Sequence, residues 1–342
     1  MKSDPISGQT IRFKDPETTG RAWPDPALFK PAAIDDETRA ANEAFRKATS
    51  EAPDWWKVGV KAYREGAASG KGPFPHPGKS PRARTISIDG KGGHAIALGV
   101  IPSDRPTGVY LFIHGGGMIF GSSEVGDTAL ERINENTGMA CVSVEYRLAP
   151  EHPYPAAWDD CESAASWLVG NAKAELGSGV LTIGGESAGA TLAVATLLRM
   201  RDRHGYGGVR AVSLAYGNYD ASMTPSQRLA SDEDQVVRLV GRTSLQKYVE
   251  MYLPPAGTDP RDPDVSPLYA RLDGLPPALF TVGTLDPLLD DSLFLHTRWL
   301  AAGNEAELAI YPGATHAFSA LGMPQAGAAD ARIDRFLKHA VA

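Results

Sequence analysis

Residues 181–194 read LTIGGESAGATLAV. The run leading in (Val180, Leu181, Thr182, Ile183) is apolar and β-branched, the pattern of a buried strand, and the Ala/Leu-rich run that follows is the pattern of a helix. Ser187 stands on the join, inside a stretch with no room for a polar surface. A chain that passes from buried strand to buried helix in so few residues needs small residues at the turn, and Gly185, Ala188 and Gly189 supply them.

The same alternation runs through the chain from about residue 80. ARTISI and HAIALGVI flank the turn signal DGKGG and predict an antiparallel hairpin. Further strand-like runs cover 109–114, 140–146, 180–185, 209–217, 278–283 and 306–311, and helical patterns cover 156–170, 187–203 and 290–302. Eight strands with intervening helices predict an α/β fold, a doubly wound and mostly parallel sheet. Residues 1–80 differ: they hold clustered prolines, two amphipathic helical patterns (35–50 and 54–67) and then GKGPFPHPGKSP, which reads as a connector. A boundary is expected near residue 80. Residues 218–252 lie in a gap too long for a structureless loop and read as a helical insertion above the sheet.

Composition narrows the function classes. The 342 residues carry a formal net charge of −7, with Lys and Arg mixed among Asp and Glu and no basic block, so no nucleic-acid partner is expected. No apolar run approaches the roughly 18 residues of a membrane helix, and the start MKSDPISGQT has no apolar signal region, so a cytoplasmic protein without a membrane partner is expected. The two cysteines, Cys141 and Cys161, sit in strand-like and helix-like runs and read as small buried hydrophobes. Neither C-x-x-C nor H-E-x-x-H occurs, so no metal site is expected.

In an open parallel sheet, catalytic groups gather at the carboxyl ends of the strands. Ser187 within GESAG (185–189) fits the G-x-S-x-G nucleophile elbow in the strand, turn and helix context that motif needs. Three features join it. HGGG (114–117) follows a strand, so the Gly115 and Gly116 N–H groups, with that of Ala188, are candidate donors to an oxyanion; no G-K-[ST] follows, which disfavours a phosphate loop. Asp286 lies just beyond the strand 278–283, while Asp290 and Asp291, at the front of the next helix, suit a capping or dipole role. His316 follows both that acid and the last strand, whereas His296 and His339 lie in helices. The order Ser187, Asp286, His316 is that of the α/β-hydrolase triad.

With these residues on the page, the sequence resembles the bacterial hormone-sensitive-lipase-like (family IV) esterases of the α/β-hydrolase superfamily. The resemblance rests on HGGG, VEYRLAPEHPYPAAWDDC (144–161), GESAG, DPLLDD (286–291) and HAF (316–318), and extends from about residue 80 to the end. It implies an α/β-hydrolase catalytic domain over 81–342, with a helical cap made of the N-terminal helices and the 218–252 insertion. It implies hydrolysis of short- to medium-chain carboxylic esters without a cofactor, and a homodimer paired near the last strand. The same triad would also serve lactones, carbamates or amides, and a pocket that only binds a small ligand is the non-catalytic alternative. Trp55, Trp56, Met118, Phe120 and Tyr219 are candidate pocket residues, and Arg147 and Glu151 are expected to brace the loop beneath the site. The chain departs from the family pattern at Glu186, where Asp is usual, and at Ala190, where a further glycine is common.

Overall fold

The computed structural model describes residues 24–71, 78–233, 238–254 and 257–342. Eight strands form one sheet: β1 (Arg84–Asp89), β2 (Ala95–Ile101), β3 (Val109–Ile113), β4 (Ala140–Val144), β5 (Leu181–Glu186), β6 (Val212–Ala215), β7 (Ala278–Gly283) and β8 (Ala306–Tyr311). Their spatial order is β1-β2-β4-β3-β5-β6-β7-β8. The expected hairpin of β1 and β2 is antiparallel, β2 meets β4 antiparallel, and every later pairing is parallel.

β3, in the middle of the sheet, is apolar and buried along its whole length because both its faces are covered. In β3, Val109, Leu111 and Ile113 join the cluster beneath α5 (Ala156–Leu176), α6 (Ala188–His204) and α9 (Leu289–Ala301), while Tyr110 and Phe112 join Leu130, Ile133, Ile333 and Leu337 on the other face. Those four belong to α4 (Asp127–Thr137) and α10 (Ala326–Ala340). Each such side chain moved from water to the interior contributes about 1.5–3 kcal/mol, so the alternation locks the register of the central strands.

The N-terminal segment carries α1 (Asp36–Thr49), α2 (Trp55–Val58) and α3 (Val60–Gly66). The expected helix over 54–67 is interrupted at Gly59, whose φ of 92° no helix accommodates. The helix expected to end at residue 170 continues to Leu176: Gly170 is tolerated at a cost of about 1 kcal/mol, and the chain turns only where Gly177 takes the left-handed conformation at φ 83°. The strand expected over 209–217 shortens to Val212–Ala215, and Tyr216 turns out of it at φ 39°.

The insertion carries α7 (Pro225–Leu229), a short 3-10 turn (Arg238–Val240) and α8 (Arg242–Tyr252). Trp55 joins the N-terminal segment to it: its ring stacks on Tyr248 at 4.7 Å and its Nε1 donates to Ser244 Oγ at 2.7 Å. Trp55 and Val60 belong to the same buried cluster as the central strands, so the first helices share the core of the sheet. At the other end, α1 grips the loop after β8, where Asn42 Nδ2 donates to the Gly313 carbonyl at 2.9 Å. No helix among the described residues is long and apolar enough to cross a membrane.

Candidate active site

Ser187 ends β5 and opens α6 at φ 52°, ψ −123°, a conformation that L-residues avoid. The surroundings over-determine it. Its N–H donates to the Ala215 carbonyl of the neighbouring strand at 2.9 Å, and its own carbonyl receives the Ala190 N–H at 3.0 Å. The small residues of GESAG follow from crowding: a Cβ on Gly189 would lie 2.0 Å from the Ile113 carbonyl oxygen, and one on Gly185 would lie 2.4 Å from the Gly189 backbone.

The three expected triad residues meet at the carboxyl ends of their strands. His316 Nε2 lies 2.9 Å from Ser187 Oγ, and its Nδ1 lies 3.0 and 3.1 Å from the two oxygens of Asp286. Asp286 is 3% exposed and His316 4%, so bulk water does not compete for these contacts. Asp286 Oδ1 also takes the Leu288 N–H at 2.8 Å, which orients the carboxylate. A carboxylate only accepts, so Nδ1 carries the imidazole proton and Nε2 is left to accept from the serine hydroxyl.

The glycine loop stands beside the serine. The Gly115 carbonyl faces His114 Nδ1 at 2.8 Å, and the Gly116 carbonyl receives the Ile119 and Phe120 N–H groups at 3.0 and 2.8 Å. In a trans peptide the next N–H points opposite to the carbonyl, so the Gly116 and Gly117 N–H groups are turned away from those partners. Gly116 sits at φ 111°, where a Cβ would lie 2.2 Å from the Phe120 carbonyl oxygen. His114 is buried against Tyr146, their rings stacked at 4.1 Å, and burial pulls its pKa down, so the neutral imidazole braces the loop.

Ser187, His316, Gly115, Gly116 and Ala188 open onto one cavity of about 720 Å³. Its lining takes Tyr63 of α3, Phe120, Val240, and Leu245 and Tyr248 of α8, together with Glu186, Tyr216 and Ser319, Arg132 of α4 and Asp330 of α10. Met118 and Phe120 line the cavity as expected from sequence. Trp55, Trp56 and Tyr219 do not: Trp55 supports Tyr248 from behind, Trp56 packs edge-on to Trp55, and Tyr219 is fully buried against Phe280. Large aromatic side chains near a cap serve equally as its struts, and sequence alone does not separate the two uses. Tyr63, Leu245 and Tyr248 were missed because the cavity-facing side of a cap helix is set by distant packing. Tyr216 was missed because the strand expected over 209–217 takes it in, whereas β6 ends at Ala215 and Tyr216 stands just past it.

Burial pushes the Glu186 carboxyl up to about 7. Asp290 and Asp291 lie in the first turn of α9, yet their oxygens reach the insertion. Asp291 Oδ1 takes the N–H groups of Tyr219 and Asp220 at 2.7 and 3.1 Å, and its Oδ2 takes Gln227 Nε2 and Thr224 Oγ1 at 2.7 and 2.8 Å. Asp290 Oδ2 takes the Ser226 N–H at 2.8 Å. Arg147 forms a two-pronged pair with Asp160, at 2.9 and 2.8 Å, and Glu151 pairs with Arg64 of α3 at 3.0 Å.

A family model described as the α/β hydrolase fold matches residues 110–320. A carboxylic ester hydrolase, LipN, from Mycobacterium tuberculosis is 32% identical over 237 residues, spanning 68% of this chain and 63% of its own. An acetyl esterase from Salmonella schwarzengrund is 31% identical over 247 residues, 70% of this chain and 74% of its own. Among solved structures, a hyperthermophilic esterase from the archaeon Pyrobaculum calidifontis superposes with a TM-score of 0.77 at 28% identity, over 89% of this chain and 98% of that one. An esterase from the bacterial hormone-sensitive lipase family superposes with a TM-score of 0.73 at 28% identity, over 90% and 99%. Sheet order, elbow and relatives agree: the chain belongs to the α/β-hydrolase family, in the branch of bacterial esterases that resemble hormone-sensitive lipase.

Proposed function

We propose that the protein hydrolyses carboxylic esters of short- to medium-chain acids through an acyl-enzyme on Ser187. The observation that carries this reading is the continuous hydrogen-bonded line Asp286, His316, Ser187, opening onto the cavity. The esterase names of the relatives support the same chemistry.

Ser187 Oγ attacks the ester carbonyl as His316 Nε2 takes its proton, and Asp286 stabilises the imidazolium that results. The carbonyl oxygen, now an oxyanion, is received by the Gly115, Gly116 and Ala188 N–H groups; for Gly116, whose N–H is turned away from the partner of the Gly115 carbonyl, the peptide orientation supports the assignment. His316 returns the proton to the alcohol as it leaves. A water then attacks the acyl-enzyme with His316 again as base, the acid departs and Ser187 is restored. The aromatic and aliphatic cap wall gives an acyl chain an apolar bed, and about 720 Å³ is room for a short to medium one.

A p-nitrophenyl ester series from acetate to palmitate, run on wild type and Ser187→Ala, tests this. Hydrolysis concentrated on the short and medium esters is expected, with a loss of about 10⁴-fold or more in kcat in the variant. A phosphonate ester is expected to add its mass to Ser187. Full activity in Ser187→Ala, or turnover of lactones or carbamates without esters, overturns the proposal.

A further inference from the structure

The turn that carries the Gly116 N–H is an unfavourable one. Gly116, Gly117 and Met118 follow one another at φ 111°, 63° and 59°, and Met118 bears a side chain that this region disfavours. Two residues close the turn. The Ile119 N–H donates to the Gly116 carbonyl at 3.0 Å, and the Ala149 N–H, from the loop after β4, donates to the Met118 carbonyl at 2.9 Å. The carbonyls of these same two residues accept from Arg64 of α3, Ile119 O from Nε at 2.8 Å and Ala149 O from Nη2 at 2.6 Å. Nη1 donates to the two oxygens of Glu151, each at 3.0 Å. Among the described residues, no other donor reaches either carbonyl.

We propose that Arg64 is a positioning residue for the oxyanion donors: by holding the Ile119 and Ala149 carbonyls it fixes the glycine turn, so that the Gly116 N–H stands in register with Ser187 Oγ only while α3 is docked. This rests on the esterase reading and adds a residue to it. A planar guanidinium holds two carbonyls and a carboxylate at fixed angles, which a single ammonium cannot do. Glu151 is 53% exposed, so its pair with Arg64 adds little by itself and serves to aim the fork. All three nitrogens of Arg64 are thereby committed to the protein, although the side chain lines the cavity. Other cap residues meet the same turn. Tyr63 of α3 lies against Phe120 at 5.0 Å, the Phe120 N–H goes to the Gly116 carbonyl, and a Cβ on Gly117 would lie 2.4 Å from the Tyr248 ring of α8. The segment that covers the substrate is thus the segment that sets the glycine turn.

The test compares wild type with Arg64→Ala, Arg64→Gln and Arg64→Lys. It reads p-nitrophenyl butyrate turnover and, by calorimetry, the Kd of butyl trifluoromethyl ketone. Ser187 Oγ adds to the ketone carbon, its proton passes to His316, and the carbonyl oxygen becomes an oxyanion on the same donors. Removing one such donor outright costs about 100- to 1,000-fold in kcat. Arg64→Ala displaces a donor without removing it, so kcat is expected to fall about 10- to 100-fold, with ketone Kd raised in parallel and KM within about twofold. Arg64→Lys reaches one carbonyl at a time and is expected to fall between. A contact that only fastened the fold would lower the unfolding midpoint and leave kcat and ketone Kd of the folded protein unchanged. Unfolding midpoints establish that each variant is folded, and Arg64→Gln and Arg64→Lys carry the test if Arg64→Ala is not. A folded Arg64→Ala with unchanged kcat and ketone Kd, or with a change in KM alone, overturns the proposal. Ketone binding needs an activated serine and its oxyanion donors but no ester turnover. Tight ketone binding without ester hydrolysis in wild type therefore sinks the esterase reading alone, and equal ketone Kd in wild type and the folded Arg64 variants sinks the positioning role alone.

Discussion

His296 of α9 lies with its ring edge-on to Phe280 at 5.6 Å and is 5% exposed. Burial pulls its pKa down from 6.5 to about 4. As pH falls through 6.5 the unfolded chain takes up a proton that the native state refuses, so stability is complete above 6.5 and is lost progressively down to about 4. The loss is at most about 3 kcal/mol. Glu186 works in the opposite sense. Its carboxyl, pushed up to about 7, keeps a proton that the unfolded chain has released, so its contribution weakens as pH rises from about 4.5 to 7. Urea unfolding across this range is expected to show a shallower acid limb in His296→Gln and a shallower neutral limb in Glu186→Gln. At this scale the meeting of Ser187, Asp286 and His316 was legible in the sequence, because each stands just past an apolar run and chain order separates the three. The contact of Tyr216 with Ser319 was not, because a side chain at a strand end and one on a distant loop meet only once the fold is known.

At the scale of elements, the insertion is bolted to the loop that carries Asp286. Asp291 binds four donors from residues 219–227, and Ser226 Oγ reaches back to the Pro287 carbonyl at 2.7 Å, one residue from Asp286. Asp291→Ala leaves those buried donors without an acceptor. It is expected to cost about 2–4 kcal/mol in denaturant unfolding and to lower kcat through the Asp286 loop. Gly189→Ala meets backbone at 2.0 Å, with no flexible side chain to yield, and is expected to give no soluble folded protein. The position of Asp290 and Asp291 at the front of a helix was readable from local pattern, and so was the type of most elements. Their partners, more than sixty residues away, were beyond any rule of helix ends, and the break at Gly59 and the extension past Gly170 were decided by packing in the same way.

For the whole molecule, the cavity is closed by two segments far apart in sequence, and Trp55 is the strut between them. Removing it in Trp55→Ala takes away the stacking on Tyr248 and the bond to Ser244. The expected outcome is a stability loss of about 3–5 kcal/mol and, on the function proposed above, a KM for p-nitrophenyl hexanoate raised far more than that for the acetate, because Tyr248 lines the cavity. The alternation of strands and helices made the parallel sheet readable in advance. The roof was readable only as helices of unknown facing, which is why Trp55, Trp56 and Tyr219 were expected in the cavity and stand behind or below it instead.

The grip of Asn42 on the Gly313 carbonyl joins the opening helix to the loop of the general base, and Ser187 lies 129 residues ahead of His316. A backbone cut between residues 187 and 313 therefore parts Ser187 from His316 and Asn42 from its acceptor at once, so a nicked chain holds both contacts only for as long as the sheet keeps its pieces together.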